Sequence, residues 1–264
     1  MTSFNAVAAK YDLDFTNSNI GIGQRERVWE YLNNNLNHNQ KLNILELNCG
    51  TGEDAIRFAE HGHFVVATDS SAEMLKIAAA KIKKLGLQKK VQTLNCDLKE
   101  MTSCNFNRKF DLIFSNFGGL NCLNPDEILK LSCDVLNLLK PNGRIITVIM
   151  PNFCLWESLY FISKFDFKKA FRRNTKSSLE VRIGNSSQKT WYYSPSTFAK
   201  IIKLNYIANA IKPIGIAIPP SYMEKSIGKK IKLMKFLCWL EKLMSPFPRI
   251  SKFSDHFLID LHKR

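Results

Sequence analysis

The sequence predicts an α/β chain built on a doubly wound, mostly parallel sheet. Two observations carry this. Apolar runs rich in Val, Ile, Leu and Phe alternate with stretches of helical spacing from about residue 42 to residue 150, the order that builds a parallel sheet with helices on both faces. The first of those runs, Ile44-Leu45-Glu46-Leu47, ends in a small-residue turn, Asn48-Cys49-Gly50-Thr51-Gly52, which opens directly into a helical pattern. Gly50 and Gly52 tolerate positive φ and let backbone approach a ligand closely, and the helix start behind them offers free N–H groups and a positive dipole end.

The elements follow in order. Strands are expected near 42–48, 63–69, 91–97, 110–117 and 143–150, and helices near 53–61, 71–85 and 125–139. Ser70 or Ser71 is placed to cap the second helix, with Glu73 near its positive end. Pro125 at a first helical position, followed by Asp126 and Glu127, marks the third. Pro141-Asn142-Gly143 is a turn before a Val/Ile-rich buried strand. Residues 1–40 read as an N-terminal helical cap, since Val28, Trp29, Tyr31, Leu32 and Leu36 recur at helical spacing before the Asn-rich stretch Asn33–Gln40. Residues 41–150 form the core.

Residues 151–194 break the alternation and read as a lid inserted after the fifth strand. An apolar helical patch (Phe153, Leu155, Trp156, Leu159, Tyr160, Phe161, Ile162) precedes the basic run Lys168-Lys169-Ala170-Phe171-Arg172-Arg173. Two strands, Ser178–Ile183 and Lys189–Tyr193, then flank Gly184-Asn185-Ser186-Ser187 as a hairpin. Residues 195–264 return to the core. A helix is expected over 195–204, an apolar strand over Tyr206–Pro219, a Lys-rich helix over Met223–Met244, and a last strand over Asp255–Leu261.

Composition bounds the function. The 264 residues, 45% hydrophobic, suffice for one core with a sizeable cap. No run of about 18 apolar residues is present, and Met1-Thr2-Ser3-Phe4-Asn5 lacks the pattern of a signal peptide, so the expectation is a cytoplasmic protein. The seven cysteines (49, 96, 104, 122, 133, 154, 238) form no C-x-x-C pair and match no zinc spacing. They are read as reduced, small apolar residues, with no metal site. The net charge of +15 is unevenly spread: 17 basic against 16 acidic residues up to Met150, and 21 against 7 beyond. The second half therefore either meets something anionic or decorates solvated faces with lysine.

The turn at 48–52 permits two ligand classes. Gly50, Gly52 and Ala55 satisfy a G-x-G-x-x-A spacing, and Asp69 follows Gly52 by 17 residues, close to the spacing of a ribose-binding acid in a dinucleotide site. Two features favour a different ligand. Glu46 stands before the turn, where a ligand ammonium has use for a carboxylate. The run Val91-Gln92-Thr93-Leu94-Asn95-Cys96-Asp97 ends in a third acid. A rim of carboxylates repels a diphosphate and attracts a cationic sulfonium nucleoside with an amino-acid tail.

At this point the chain resembles the class I, Rossmann-like, S-adenosylmethionine-dependent methyltransferases. The matching pieces are E-L-N-C-G-T-G, V-A-T-D, N-C-D-L and F-D-L-I-F-S-N-F, within roughly Leu42–Met150. The resemblance implies an antiparallel final strand and S-adenosylmethionine as cofactor. It places Glu46 and Asn48, Cys49, Gly50 and Gly52 at the methionine moiety, Asp69 at the ribose, Met74, Asp97 and Leu98 at the adenine, and Ser70 and Ser115 elsewhere in the same site. Asn48 departs from the family, which most often has glycine there; Asn tolerates unusual backbone angles better than most residues.

Asn116 and Phe117 are expected to face the transferred methyl, and Trp156 and Tyr160 to line the acceptor pocket. The Asn/Asp-Pro-Pro-aromatic run of many amine methylating enzymes is absent at 115–118, which leaves hydroxyl, carboxyl or carbon acceptors. The five histidines (38, 61, 63, 256, 262) are read as lying away from the mouth, with Tyr11, Tyr192 and Tyr193 as the candidate catalytic side chains near a lid. The acceptor is expected to be a small lipophilic or aromatic molecule. Three other readings stand beside it: a quinone or lipid precursor met at the inner face of a membrane through weak contact with anionic lipid, RNA, and a non-catalytic cofactor-binding protein. Nothing in the chain calls for an obligate protein partner.

Overall fold

The computed structural model describes residues 3–37, 40–184 and 186–264. His38 and Asn185 lie outside the described residues, as do Met1 and Thr2. Seven strands form one sheet: β1 (Asn43–Leu47), β2 (Phe64–Asp69), β3 (Val91–Asn95), β4 (Phe110–Ser115), β5 (Leu139–Ile149), β8 (Tyr206–Ile214) and β9 (His256–Lys263). Their order is β3-β2-β1-β4-β5-β9-β8. The first five are parallel neighbours, and β9 runs antiparallel between β5 and β8. The strand order reverses at β1 and β4, and a doubly wound sheet opens its ligand crevice at the carboxyl ends of the strands flanking such a point.

Helices of eight residues or more are α1 (Asn19–Asn35), α2 (Glu53–Glu60), α3 (Ala72–Lys84), α4 (Pro125–Leu136), α5 (Leu155–Ile162), α6 (Pro195–Ile202) and α7 (Ile231–Met244). The two-residue period of the strands divides the core. Ile44, Leu112, Phe114 and Ile146 face a cluster with Trp29 and Leu32 of α1, Phe58 of α2 and Ile82 of α3. Leu45, Ile113, Ile145 and Ile259 face the other side, against Leu131 of α4 and Phe198 and Ile202 of α6. A third, smaller cluster joins Ile20 of α1, Ile218, Met223, and Met234 and Leu237 of α7, with Trp156 and Tyr160 of α5 resting on it.

Local signals explain the boundaries. Ser71 caps α3 by accepting from Met74 N. Asn124 and Glu127 form a reciprocal capping box ahead of Pro125 at the start of α4. A hairpin pairs β6 (Leu179–Ile183) with β7 (Ser186–Thr190), so Ser186 and Ser187 belong to a strand rather than to the turn.

Three expectations are corrected. The apolar strand stops at Ile214, because the N–H groups of Gly215, Ile216, Ala217 and Ile218 all donate to the buried Glu241 carboxylate of α7, at 2.7–3.2 Å, instead of to a strand. The Met223–Met244 helix is broken: a π-helical turn over Glu224–Gly228 ends at Lys229, and α7 begins only at Ile231. The Glu224 carboxylate caps the start of α1 by accepting from Asn19 N and Ile20 N, which holds that turn apart from α7. Finally, two of the seven cysteines are not reduced. A helical turn over Leu98–Ser103 folds the chain back so that Cys96 and Cys104, with Cα atoms 6.2 Å apart, form a disulfide.

Candidate active site

The turn after β1 is built as the sequence anticipates, with one addition. Gly50 and Gly52 have φ of +55° and +80°, and a Cβ on Gly52 would lie 2.9 Å from Ala78 Cβ of α3. Asn48 is itself left-handed, at φ +48°. Its amide replaces the freedom of glycine with anchorage: Oδ1 accepts from Ser115 Oγ at 2.7 Å and Nδ2 donates to the Asn116 carbonyl at 3.1 Å, tying the ends of β1 and β4 together. Asp69 closes the other side, accepting from Gly50 N at 2.9 Å and Ser71 N at 2.8 Å. A carboxylate has about four lone-pair sites, so these bonds leave Asp69 capacity for a hydroxyl pair.

Glu46 is the unusual member. It is 2% exposed, and its Oε2 has no partner. Burial, reinforced by the nearby Asp54 charge, pushes its carboxyl well above the usual carboxylate range, against the opposing charge of Arg25. A buried acceptor without a donor is costly unless a ligand completes it.

A buried cluster beside it was missed at the level of sequence. Arg25 and Asp54 form an ion pair, and Trp29 Nε1 and Asn116 Nδ2 donate to the same carboxylate at 2.7 and 2.9 Å. Asn116 therefore points into this cluster. Phe117, at φ +46°, sits edge-on to Phe15 with ring centroids 5.1 Å apart, and the Arg25 guanidinium lies 5.2 Å from its centroid. Asn48 and Phe117, left-handed residues other than glycine, thus stand at the ends of the two strands where the order reverses.

Residues ahead of α1 lie over the turn. Asp12 accepts from Thr51 Oγ1 at 2.6 Å and from Lys81 Nζ at 2.8 Å. Tyr11 packs near Gly50 and 5.7 Å from Phe15, and burial pushes its hydroxyl up to about 12. The residues ahead of α1 therefore cover the Asn48–Gly52 turn. The other expected cofactor residues lie around this turn or behind it in the chain. Asp97 is exposed and caps the following turn by accepting from Lys99 N at 2.9 Å, with Leu98 half-buried behind it. Met74 is fully buried in the core, while Cys49 is buried in the turn and Ser70 is exposed beside it.

In α5, Trp156 donates to the Ala217 carbonyl at 3.1 Å, and the Tyr160 ring faces Tyr222 across 5.9 Å. Tyr192 lies under the Arg173 guanidinium, 5.3 Å away. Tyr193 is corrected: it is 3% exposed in the α4 and α6 side of the core and donates to the Leu123 carbonyl, so it packs rather than reacts.

His256 is the second correction. It begins β9, which runs antiparallel to β5 and so starts at the carboxyl edge of the parallel strands. Its ring sits edge-on to Phe117 with centroids 5.4 Å apart, and its Nδ1 lies 3.3 Å from Asp255 Oδ2. Asp255 in turn accepts from the buried Arg173 at 2.9 Å, which also holds Glu157. The neighbouring His256 and Arg173 hold the Asp255 carboxyl well below its usual range despite burial. No local pattern marks this group, because its members come from residues 157, 173 and 255–256. Among the described residues no group of three or more His, Cys, Asp or Glu side chains is placed to hold a metal ion.

Residues 44–143 match the family model described as methyltransferase domain. Over that stretch the chain is similar to methyltransferase domains. Its fold agrees with solved structures over nearly the full length. A Clostridium acetobutylicum S-adenosylmethionine-dependent methyltransferase, 18% identical, superposes with a TM-score of 0.61 over 99% of both chains. The DhpI–SAH complex, 15% identical, gives 0.62 over 98% of this chain and 93% of that one. Among curated relatives, YqeM of Bacillus subtilis is 33% identical over 119 residues, 45% of this chain and 46% of its own. A ubiquinone/menaquinone biosynthesis C-methyltransferase, UbiE of Psychromonas ingrahamii, is 29% identical over 73% of each chain. A demethylmenaquinone methyltransferase of Leptospira interrogans is 31% identical over 55% of this chain and 58% of its own. The chain thus spans about half the length of two of these relatives and about three quarters of the third.

Proposed function

We propose that the protein transfers a methyl group from S-adenosylmethionine to a small lipophilic acceptor, at carbon or oxygen. The observation that carries the reading is the unpartnered, buried Glu46 carboxylate beside the Asn48–Gly52 turn. These acceptors fit a nucleoside with a cationic amino-acid tail, whereas a diphosphate would meet Glu46, Asp54 and Asp69 together. Glu46 and the turn would hold the methionine end and Asp69 the ribose; the cofactor supplies an electrophilic methyl. Displacement at such a methyl requires chiefly that the acceptor atom be held in line at about 3–3.5 Å, so positioning carries much of the rate. Phe117 and the lid around Trp156 and Tyr160 supply apolar walls suited to a lipophilic acceptor. Where the acceptor must lose a proton, His256, with its Nδ1 3.3 Å from Asp255, is the group offered at the Phe117 edge.

A quinone ring or lipid precursor is the second reading. It is favoured by the names of two relatives, a ubiquinone/menaquinone biosynthesis C-methyltransferase and a demethylmenaquinone methyltransferase, and by the apolar residues around Trp156 and Tyr160. Calorimetry with S-adenosylmethionine, S-adenosylhomocysteine and NAD tests the cofactor. Transfer of labelled methyl into the organic phase of a lipid extract, against the aqueous phase, tests the acceptor. NAD binding without S-adenosylmethionine binding would overturn the proposal, and label confined to water-soluble products would overturn the lipophilic acceptor.

A further inference from the structure

We propose that the outward face of α7, with the basic turn leading into it, docks on an anionic lipid bilayer. The helix has two apolar faces. Met234 and Leu237 are buried in the third cluster with Ile20 and Ile218. On the other side Phe236, Trp239 and Leu243 are 53%, 55% and 51% exposed, with Ile231 at 64% before them and Phe247 at 59% beyond. Positions 236, 239 and 243 share one helical stripe. The Phe236 and Trp239 rings lie 5.8 Å apart and meet each other rather than the core. A helix that serves only the core presents polar groups there.

The charges name the occupant. Lys225, Lys229, Lys230, Lys232, Lys235 and Lys242 are all exposed. Between residues 225 and 249 the sole acid is Glu241, fully buried and saturated by four backbone N–H groups. Every exposed charge of the segment is therefore positive. A second copy of this face would meet its own charge, whereas an anionic headgroup layer complements the lysines and its acyl boundary accepts the aromatic stripe. Among the described residues no helix is long and apolar enough to cross a membrane, and α7, with 14 residues, is suited to lie in the interface.

The lid repeats the combination independently. Phe165 follows α5 at φ +57°, a backbone position that favours glycine, and is 84% exposed. Neither packing nor conformation calls for phenylalanine there; Lys164 precedes it, and the following Asp166 is paired with Lys169. Through Trp156 and Tyr160, α5 rests on the same cluster as the inner face of α7.

The test is co-sedimentation of the full chain with phosphatidylcholine vesicles, with and without phosphatidylglycerol, at low and high salt. It needs no acceptor and no cofactor, so its outcome is separate from that of the methyl-transfer proposal. Binding is expected only with phosphatidylglycerol, falling at least tenfold at high salt. The triple change Lys232→Gln, Lys235→Gln and Lys242→Gln is expected to weaken it by roughly fivefold per lysine. Trp239→Ser with Phe236→Ser, on solvent-facing positions, is expected to weaken it comparably while leaving the circular dichroism spectrum unchanged. Absence of vesicle binding, or binding that both variants retain, overturns the proposal. So does a dimer that Trp239→Ser dissolves, or an RNA complex that needs the lysines and not the aromatic pair.

Discussion

Replacing Glu46 by Gln separates affinity from stability in a way that follows from its surroundings. The side chain is 2% exposed, its Oε2 is unpartnered, and burial with Asp54 nearby raises its carboxyl well above the usual range. The substitution keeps the volume and removes the charge. A hydrogen bond from a ligand ammonium to a buried carboxylate contributes about 1.5–3 kcal/mol, so S-adenosylmethionine binding should weaken roughly 10- to 150-fold. The folded state loses no bond to Oε2, so the thermal midpoint without ligand should stay or rise. The pH dependence carries a sign. Below its raised pKa the unliganded carboxyl holds a proton that a ligand ammonium must expel, so wild-type affinity should increase as pH rises from the ordinary carboxylate range and then level off. The variant should be flat over the same window. Titration calorimetry in buffers of different ionisation enthalpy reads both quantities, with proton release on binding in the wild type alone. Affinities within twofold of each other and the same pH slope would refute the assignment of Glu46 to the ligand.

Other outcomes follow from the same contacts. Glu241→Gln turns one carboxylate oxygen into a donor facing two of the four N–H groups at 215–218, leaving two buried donors without acceptors; about 2–5 kcal/mol should be lost in urea unfolding with an unchanged slope, and a loss under 1 kcal/mol would count against this anchor. Asp255 is depressed in the folded state, so its stabilisation is present above the ordinary carboxylate pKa of about 4 and is lost as pH falls below it. Asp255→Asn should flatten acid unfolding in that window, and an unchanged acid limb would contradict the pairing. His256→Gln should lower kcat by about 10²–10⁴-fold at unchanged cofactor affinity, whereas an unaffected kcat in single-turnover assays would make the residue a wall of the pocket.

The amino-acid sequence by itself determined the parts governed by short-range pattern. The apolar run from Ile44 to Leu47 marked the first strand, Gly50 and Gly52 marked the turn, and Pro125 with Asp126 and Glu127 marked a helix start. The resemblance carried over this same stretch pointed to the ligand, because the turn and its acids lie within one strand-turn-helix unit and its neighbours. Where one residue type serves two local purposes, the sequence left the choice open. Asp97 caps a turn and Met74 fills the core, uses that their spacing equally allowed.

The tertiary structure alone decided what depends on distant segments meeting. Arg25 and Asp54 pair across 29 positions, and Glu157, Arg173, Asp255 and His256 gather from three segments at the start of an antiparallel strand. The antiparallel direction was expected, but only packing shows that it sets the His256 ring against Phe117. Asn48 is the same lesson in small: its type announces a tolerated turn, but only the contact with Ser115 shows that it ties two strands. Periodicity reports which face of an element is apolar. Only packing decides what lies opposite it, as with the two apolar faces of α7, one buried and one exposed.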